Sequence, residues 1–326
     1  MRGRSAPVSL RGLNSKLENS PVFTLADLES WAVPGTSLAV LGHPIKHSIS
    51  PAMQNAALAE LARTDAQYAD WHYHRFEIHP DDLPHALTLL HAKKFRGVNL
   101  TVPHKIIAFD RVAAIDPAAR PVGAVNTLLW TPAGWHGFNT DGYGMATAIR
   151  ESLGRDLSAS PILLLGAGGA ARGAGVECLQ RGCPALWIAN RTRETLDQLL
   201  AVLKPVQGSI PLHGVTLESL GANATGLPAG LLVINATSAG LRDTDPLPID
   251  LSLLSRPAAV FDMIYNPPQT RLLQAAAGLG LPNAHGLGML IHQGARALEI
   301  WTGVPAARTA PAMSSAAHAA MGLSEA

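Results

Sequence analysis

The stretch Pro161-Ile-Leu-Leu-Leu165-Gly166-Ala-Gly-Gly-Ala-Ala171 decides the fold. Residues 161–165 read as a buried strand. The glycines at 166 and 168 permit the tight turn and close backbone approach that a pyrophosphate needs at a helix N-terminus. Ala171 supplies the small residue where that helix packs on the strand. The next strand, Ala185-Leu-Trp-Ile-Ala189, ends in Asn190-Arg-Thr-Arg193. An NAD site carries Asp or Glu about 20 residues beyond the glycines, accepting from the ribose 2′-hydroxyl. A carboxylate there would repel a 2′-phosphate, whereas a guanidinium pairs with it bidentately and stacks on adenine. Glycine turns also occur where a helix merely packs tightly on a sheet. Here the strand before, the small-residue helix over 170–182 and the basic strand end together favour a nucleotide, and that nucleotide is NADP.

At 326 residues the chain has room for two domains and a sizeable core. Its 47% apolar content is that of a globular protein, and its 15% charged content lies well below the roughly 25% of average soluble chains. A formal net charge of +1 gives no broad footprint for nucleic acid or an anionic membrane, so small ligands are the expected partners. Cys178 and Cys183 lack a second pair to complete a metal site and read as reduced core or surface thiols. At the N-terminus Arg2, Arg4, Arg11 and Lys16 precede the first acid, Glu18. Arg11 interrupts the apolar stretch that a secretory signal requires, and the acid-poor start resembles a transit peptide only weakly. A partly disordered extension over residues 1–35 is expected instead. The longest apolar runs are too short and glycine-rich to span a bilayer, and a cytoplasmic location follows.

The folded body is expected to start near Thr36, with strands over 37–42, 71–78 and 97–102 alternating with helices from Pro51 and over 81–93. This is the βαβ pattern of a mainly parallel sheet. Strands over 123–130 and 135–138 precede a helix opened by Asp141. After the glycine unit, strands over 231–234 and 258–261, a helix over 269–278 and a longer helix through Trp301 are expected. Two sheets follow, joined near residues 141–160. Thr24 to Trp31 has the pattern of a short helix, and the Ala-, Ser- and Pro-rich tail past Ala306 is expected to fray. His72 and His74 share a strand face, but no third ligand has metal-site spacing, so no metal is expected.

Polar residues interrupt apolar strand ends at His47-Ser-Ile-Ser50, Asn99-Leu-Thr-Val-Pro-His-Lys105, Asn126-Thr127 and Asn139-Thr-Asp141. Ligands bind at such ends in open α/β sheets. In an extended segment Ser48 and Ser50 point the same way, as do Asn99 and Thr101. Paired donors and acceptors of this kind suit a small polyhydroxylated or carboxylated ligand. Plainer readings exist: Ser50 and Asp141 as helix N-caps, and Asn126-Thr127 as a turn.

Gly42-His-Pro-Ile-Lys-His-Ser-Ile-Ser-Pro51, Asn99-Leu-Thr-Val-Pro-His-Lys105, Gly123-Ala-Val-Asn-Thr127, Gly137-Phe-Asn-Thr-Asp-Gly142, Asn190-Arg-Thr192, Asn235-Ala-Thr-Ser238 and Gly286-Leu-Gly-Met-Leu290 through Gln293 resemble the motif series of the shikimate dehydrogenases. The match holds in order and spacing from about residue 37 to residue 305. The resemblance implies a two-domain α/β protein: a mainly parallel substrate domain over 36–145, completed by 289–306, and a Rossmann-type NADP domain over 146–288. Residues 307–326 form a tail, and the active site lies in the interdomain cleft. It implies reversible NADPH-dependent reduction of 3-dehydroshikimate to shikimate, a step toward chorismate and the aromatic amino acids, by a monomer or homodimer.

Carried over in the same way, Lys105 and Asp141 are the catalytic pair. Their chemistry agrees: the alkoxide formed on ketone reduction needs a proton, which an ammonium supplies while stabilising the charge. Ser48 and Ser50 fall on the substrate carboxylate and Thr101, Asn126, Asp141 and Gln293 on the ring hydroxyls, with Asn99, Lys105 and Tyr265 also on the substrate. Gly166, Ala167, Gly168, Gly169 and Ala170 fall on the pyrophosphate and Asn190, Arg191 and Thr192 on the 2′-phosphate. Thr237, Ser238, Met263 and Gly286 fall on the nicotinamide half. Arg193 follows Asn-Arg-Thr directly, where the family's second basic residue comes later, so one arginine or two meets the phosphate. His285 stands where the family usually has an acid or Asn. A dual-specificity quinate/shikimate dehydrogenase is the nearest alternative, and Asn190-Arg-Thr192 and Ser50 argue against it. A non-catalytic NADP-binding sensor is the alternative from another class, and it has no need of Lys105 with Asp141.

Overall fold

The computed structural model describes residues 21–223 and 227–324. In chain order the strands are β1 (Val22–Phe23), β2 (Thr36–Gly42), β3 (Trp71–Glu77), β4 (Gly97–Leu100), β5 (Ala114–Ile115), β6 (Thr127–Thr131), β7 (Gly134–Phe138), β8 (Ile162–Leu165), β9 (Leu186–Asn190), β10 (Leu212–Thr216), β11 (Leu232–Asn235), β12 (Ala259–Asp262) and β13 (Asn283–His285). The helices are α1 (Leu25–Glu29), α2 (Ser50–Ala62), α3 (Leu83–Ala92), α4 (His104–Ile107), α5 (Asp141–Leu153), α6 (Gly169–Gln180), α7 (Arg193–Leu203), α8 (Leu217–Asn223), α9 (Arg271–Gly278), α10 (Leu287–Thr302) and α11 (Ala306–Met321). Two compact units result. Of the described residues, the first takes those up to Asp116, Ala124–Phe138 and those from Ala297; the second takes Pro117–Gly123 and those within Asn139–Arg296.

The first unit holds a seven-stranded sheet in the order β1-β3-β2-β4-β6-β7-β5. Strands β1 to β4 are mutually parallel where they pair, and β6 runs against both β4 and β7. Leu38 to Leu41 of β2 are all buried, as a central parallel strand covered on both faces requires.

The expected disordered extension lies outside the described residues as far as residue 20, but residues 21–35 are ordered. β1 pairs with β3, and α1 starts at a Thr24–Asp27 capping box. Phe23, Leu28 and Trp31 supply the burial that composition alone concealed: Leu28 is fully buried, and Trp31 packs against Phe76 and Phe95. The tail expected to fray forms α11, packed along α2. Its Ala306, Thr309, Met313 and Ala317 are buried, and they share one helical face. Small side chains, read as a sign of fraying, are what let this helix lie close to another.

His74 sits within this aromatic cluster, edge-on to Trp31 at 4.8 Å between ring centroids, and its buried Nε2 has no hydrogen-bond partner. Burial, with a smaller contribution from the His72 charge, lowers its pKa to about 4. Between that value and the ordinary 6.5 the unfolded chain binds the proton and the folded chain does not, so stability falls as pH falls through this window. Urea unfolding is expected to lose roughly 2–3 kcal/mol from this group between pH 7 and pH 4. His74→Phe removes that part of the pH dependence; an unchanged profile in the variant contradicts the assignment. Among the described residues no group of three or more His, Cys, Asp or Glu could hold a metal ion.

The second unit holds six parallel strands in the order β10-β9-β8-β11-β12-β13. Numbered by appearance within the unit this is 3-2-1-4-5-6, the Rossmann order, which reverses between β8 and β11 and opens a crevice at their C-terminal ends. Strands β8, β11 and β12 are buried throughout, whereas β10 and β13, the two sheet edges, are only partly buried and carry no continuous apolar run. Cys178 and Cys183 are free and buried, and burial pushes both thiols above their ordinary pKa. No helix among the described residues is long and apolar enough to cross a membrane.

Candidate active site

In the first unit, β2 and β4 are parallel while β6 runs against β4. The C-terminal ends of β2 and β4 and the start of β6 therefore lie at one end of the sheet. The stretches that carry Ser48 and Ser50, Thr101 and Lys105, and Asn126 leave or enter the sheet at this end. Gly42 ends β2, and a Cβ there would collide with Thr101 Cγ2, so only glycine lets the 43–50 loop pass this close. Buried Asn99 builds the frame: its Oδ1 accepts the Tyr73 hydroxyl at 2.7 Å, and its Nδ2 donates to the Asn126 carbonyl (3.1 Å) and Thr127 Oγ1 (3.0 Å). Thr127 Oγ1 donates in turn to Asn126 Oδ1 at 3.0 Å. Lys105 lies half-buried on α4, and its carbonyl accepts the Val125 N–H at 3.0 Å, tying α4 to the strand that presents Asn126.

The serine pair is arranged otherwise than strand geometry predicts. Residues 46–47 turn, Ile49 is helical (φ −89, ψ 0), and Ser50 opens α2. Ser50 is not the N-cap, and the helix starts without a side-chain cap. Instead Ser48 Oγ accepts the Ser50 N–H at 3.3 Å. Arg75, buried in β3, donates to the carbonyls of Lys46 and Ser48 and pins the loop. Sequence reasoning passed over it; its signal was a lone arginine between the aromatic side chains of β3.

In the second unit Gly166 adopts φ +107, a left-handed turn natural to glycine, and Gly168 caps α6. A Cβ on Gly168 or Gly169 would meet nothing within 4 Å, so the protein leaves the space beside this helix N-terminus open. Residues 166–168, 190–192 and 236–239 line a cavity of about 460 Å³. Open glycines at a helix start, set beside Arg191, fit a pyrophosphate and a 2′-phosphate. Asn190 Nδ2 donates to the Thr192 carbonyl (2.9 Å) and Thr195 Oγ1 (2.7 Å), shaping the turn that carries Arg191. Arg193 does not line the cavity; its Nε donates to Asp197 at 3.0 Å along α7. Gly169 and Ala170 lie exposed in the first turn of α6. Met263 and Gly286 fall outside the lining but meet each other: a Cβ on Gly286 would strike the Met263 carbonyl, and the Gly286 N–H donates to Ile264 O at 3.0 Å. Tyr265 is half-buried, which raises its phenol above the ordinary pKa.

Asp141 stands in the first turn of α5, where the helix dipole favours a carboxylate. It is not the N-cap; its N–H donates to Asn139 Oδ1 at 3.1 Å. Gly144 lets α5 touch α10, since a Cβ would lie 2.5 Å from the Met289 carbonyl and 2.8 Å from the Gln293 nitrogen. Gln293 thereby comes beside the start of α5: its Oε1 accepts from Thr140 Oγ1 at 3.5 Å, and its Nε2 donates to Leu290 O at 2.9 Å. His292 Nε2 and Glu151 pair at 2.9 Å across the same two helices.

Family models match this chain at both ends: the shikimate dehydrogenase substrate binding domain over residues 40–128 and the shikimate 5'-dehydrogenase C-terminal domain over 286–310. The shikimate dehydrogenase (NADP(+)) of Geobacter metallireducens is 39% identical over 267 residues, covering 82% of this chain and 91% of its own. The chain belongs to the shikimate dehydrogenase family. Among solved structures, the shikimate 5-dehydrogenase of Thermus thermophilus in complex with NADP(H) and shikimate superposes with a TM-score of 0.72 at 34% identity, covering 86% of this chain and 99% of that one. A ligand-free 5-ketofructose reductase of Gluconobacter sp. strain CHM43 gives 0.73 at 27% identity, over 87% and 99%. The resemblance read from seven motifs is borne out, as is the α/β fold class of a shikimate dehydrogenase with a Rossmann-type unit.

Proposed function

We propose that this shikimate dehydrogenase catalyses the reversible NADP-linked reduction of 3-dehydroshikimate to shikimate, with Lys105 as general acid and base and Asp141 as its charge partner. The observation that supports the reading is one end of the first unit's sheet, which the chain leaves after β2 toward Ser48 and Ser50, leaves after β4 toward Thr101 and Lys105, and re-enters at Asn126 before β6. Ser48 and Ser50 present hydroxyls to a carboxylate, and Thr101 and Asn126 present polar groups to ring hydroxyls, with Gln293 from α10 beside them in function. Asn99 acts chiefly through the frame that orients Asn126. When bound, NADPH supplies the hydride; Gly166 to Ala170 hold its pyrophosphate and Arg191 its 2′-phosphate. In reduction the Lys105 ammonium delivers the proton to the forming alkoxide at C3, and in oxidation neutral Lys105 takes it back. Asp141 keeps that ammonium oriented and its charge balanced.

NADPH oxidation followed by absorbance with 3-dehydroshikimate tests the activity; folded protein that binds NADPH without turning over refutes it. The structural likeness to a 5-ketofructose reductase makes a substrate panel the natural companion assay: shikimate and quinate with NADP⁺ and NAD⁺, and 5-ketofructose with NADPH and NADH. Arg191→Ala is expected to weaken NADPH by about 1.5–3 kcal/mol, the range for a hydrogen bond to a charged group, with NADH almost unaffected. Arg193→Ala is expected to change NADPH affinity little, because Asp197 already holds that guanidinium. Equal losses for both cofactors in Arg191→Ala remove the 2′-phosphate assignment.

A further inference from the structure

We propose that Asp262 is the positioning residue for Thr237, Met263 and Gly286, which the family resemblance sets along the nicotinamide half of the cofactor, an inference that rests on the NADP reading above. Asn235 and Asp262 are register partners at the C-terminal ends of the adjacent strands β11 and β12, and both side chains are sealed from solvent. The Asp262 carboxylate accepts three hydrogen bonds: from Asn235 Nδ2 at 3.0 Å and the Ile264 N–H at 3.1 Å on Oδ1, and from Thr270 Oγ1 at 2.7 Å on Oδ2.

Each partner carries the constraint onward. Asn235 Oδ1 accepts both the N–H (3.1 Å) and the hydroxyl (2.7 Å) of Thr237, and Thr237 Oγ1 accepts the Ala239 N–H at 3.1 Å, which fixes the 236–239 turn. That turn lines the cavity, with Thr237 Cγ2 only 3.0 Å from where a Cβ on Gly166 would stand. The bond to Ile264 sets the 262–264 corner, whose Met263 carbonyl abuts Gly286. Thr270 caps α9 by accepting the Leu273 N–H at 3.3 Å, so the third bond seats that helix. One carboxylate thus holds Thr237, Met263 and Gly286 in common register. Strand pairing alone does not need it, since the backbone ladder between β11 and β12 is complete to their last residues. Burial raises the carboxyl pKa while these donors oppose the shift, and a group kept in so unfavourable a place has a position to maintain.

The test compares two ligands by titration calorimetry. 2′,5′-ADP carries the adenosine and its 2′-phosphate but no nicotinamide, whereas NADP⁺ carries both. Asp262→Ala is expected to raise the NADP⁺ Kd about tenfold or more, and Thr270→Val about threefold, as buried bonds to a charged group are lost. Both variants are expected to leave the 2′,5′-ADP Kd within about twofold. Asp262→Asn keeps an acceptor for Asn235 and Ile264 and is expected to stay close to wild type. If Asp262→Ala does not fold, Thr270→Val, nearly isosteric, decides. Parallel losses for the two ligands reduce Asp262 to a fold element and overturn the proposal, as does no loss for either. Wild-type protein that binds neither ligand overturns the cofactor reading itself and the proposal with it.

Discussion

Lys105→Ala is expected to lower kcat by on the order of 10²–10⁴ while the KM for 3-dehydroshikimate changes far less. The split follows from what the ammonium does. Under the proposed roles a ketone and an alcohol both bind through hydroxyls and a carboxylate, for which Ser48, Ser50, Thr101 and Asn126 are the proposed partners. The charge that Lys105 is proposed to stabilise exists only as the alkoxide forms, and an interaction made in the transition state alone appears in kcat. The substitution should not dislodge the site, because the Lys105 carbonyl that accepts the Val125 N–H is unaltered. Lys105→Arg separates charge from proton transfer: it keeps a cation but cannot deprotonate in the working pH range, so shikimate oxidation should suffer at least as much as in the alanine variant. Steady-state kinetics in both directions check this. Unaltered turnover in Lys105→Ala removes the residue from the mechanism.

What was legible in the sequence depended on whether a residue's partner was local. The glycine turn, the apolar strand before it and the basic strand end after it are consecutive, and each announces a requirement of its own backbone or charge. Ser48, Thr101, Lys105 and Asn126 were legible as polar interruptions at strand ends. Arg75 and Asp262 were not: each is a charged side chain inside a strand whose meaning lies in contacts made by folding, with the Lys46 and Ser48 carbonyls in one case and with Asn235, Ile264 and Thr270 in the other. The same reason hid the ends of the folded body. β1 is stabilised by pairing with β3, and α11 by packing on α2, so composition suggested looseness where tertiary contact supplies order. Spacing arguments also failed where the local period changed. Ser48 and Ser50 fit a strand by count, yet the chain has turned into α2 by Ser50.

Trp301→Ala is expected to destabilise the first unit by about 3–5 kcal/mol, the range for deleting a buried aromatic. Trp301 is 1% exposed on the last turns of α10, and its indole occupies the space over β4 that a Cβ on Gly97 would claim. Glycine at 97 and tryptophan at 301 are therefore one solution to one packing problem, reached from opposite ends of the chain. The indole Nε1–H donates to the Leu128 carbonyl at 3.0 Å, and the Trp301 carbonyl accepts from Arg96 Nε at 3.0 Å. Truncation would leave a cavity and remove the indole bond together, whereas Trp301→Phe keeps most of the ring packing and loses only the bond, so it should cost about 1–3 kcal/mol. The functional consequence runs through Tyr73, whose ring lies 6.1 Å from the Trp301 indole by centroid and whose hydroxyl holds Asn99. Since Asn99 orients Asn126, the phenylalanine variant is expected to keep its KM for 3-dehydroshikimate, and any alanine variant that folds is expected to raise it. Urea unfolding monitored by circular dichroism, paired with KM, checks both parts. An alanine variant as stable as wild type would show that α10 docks on this sheet by contacts other than the indole.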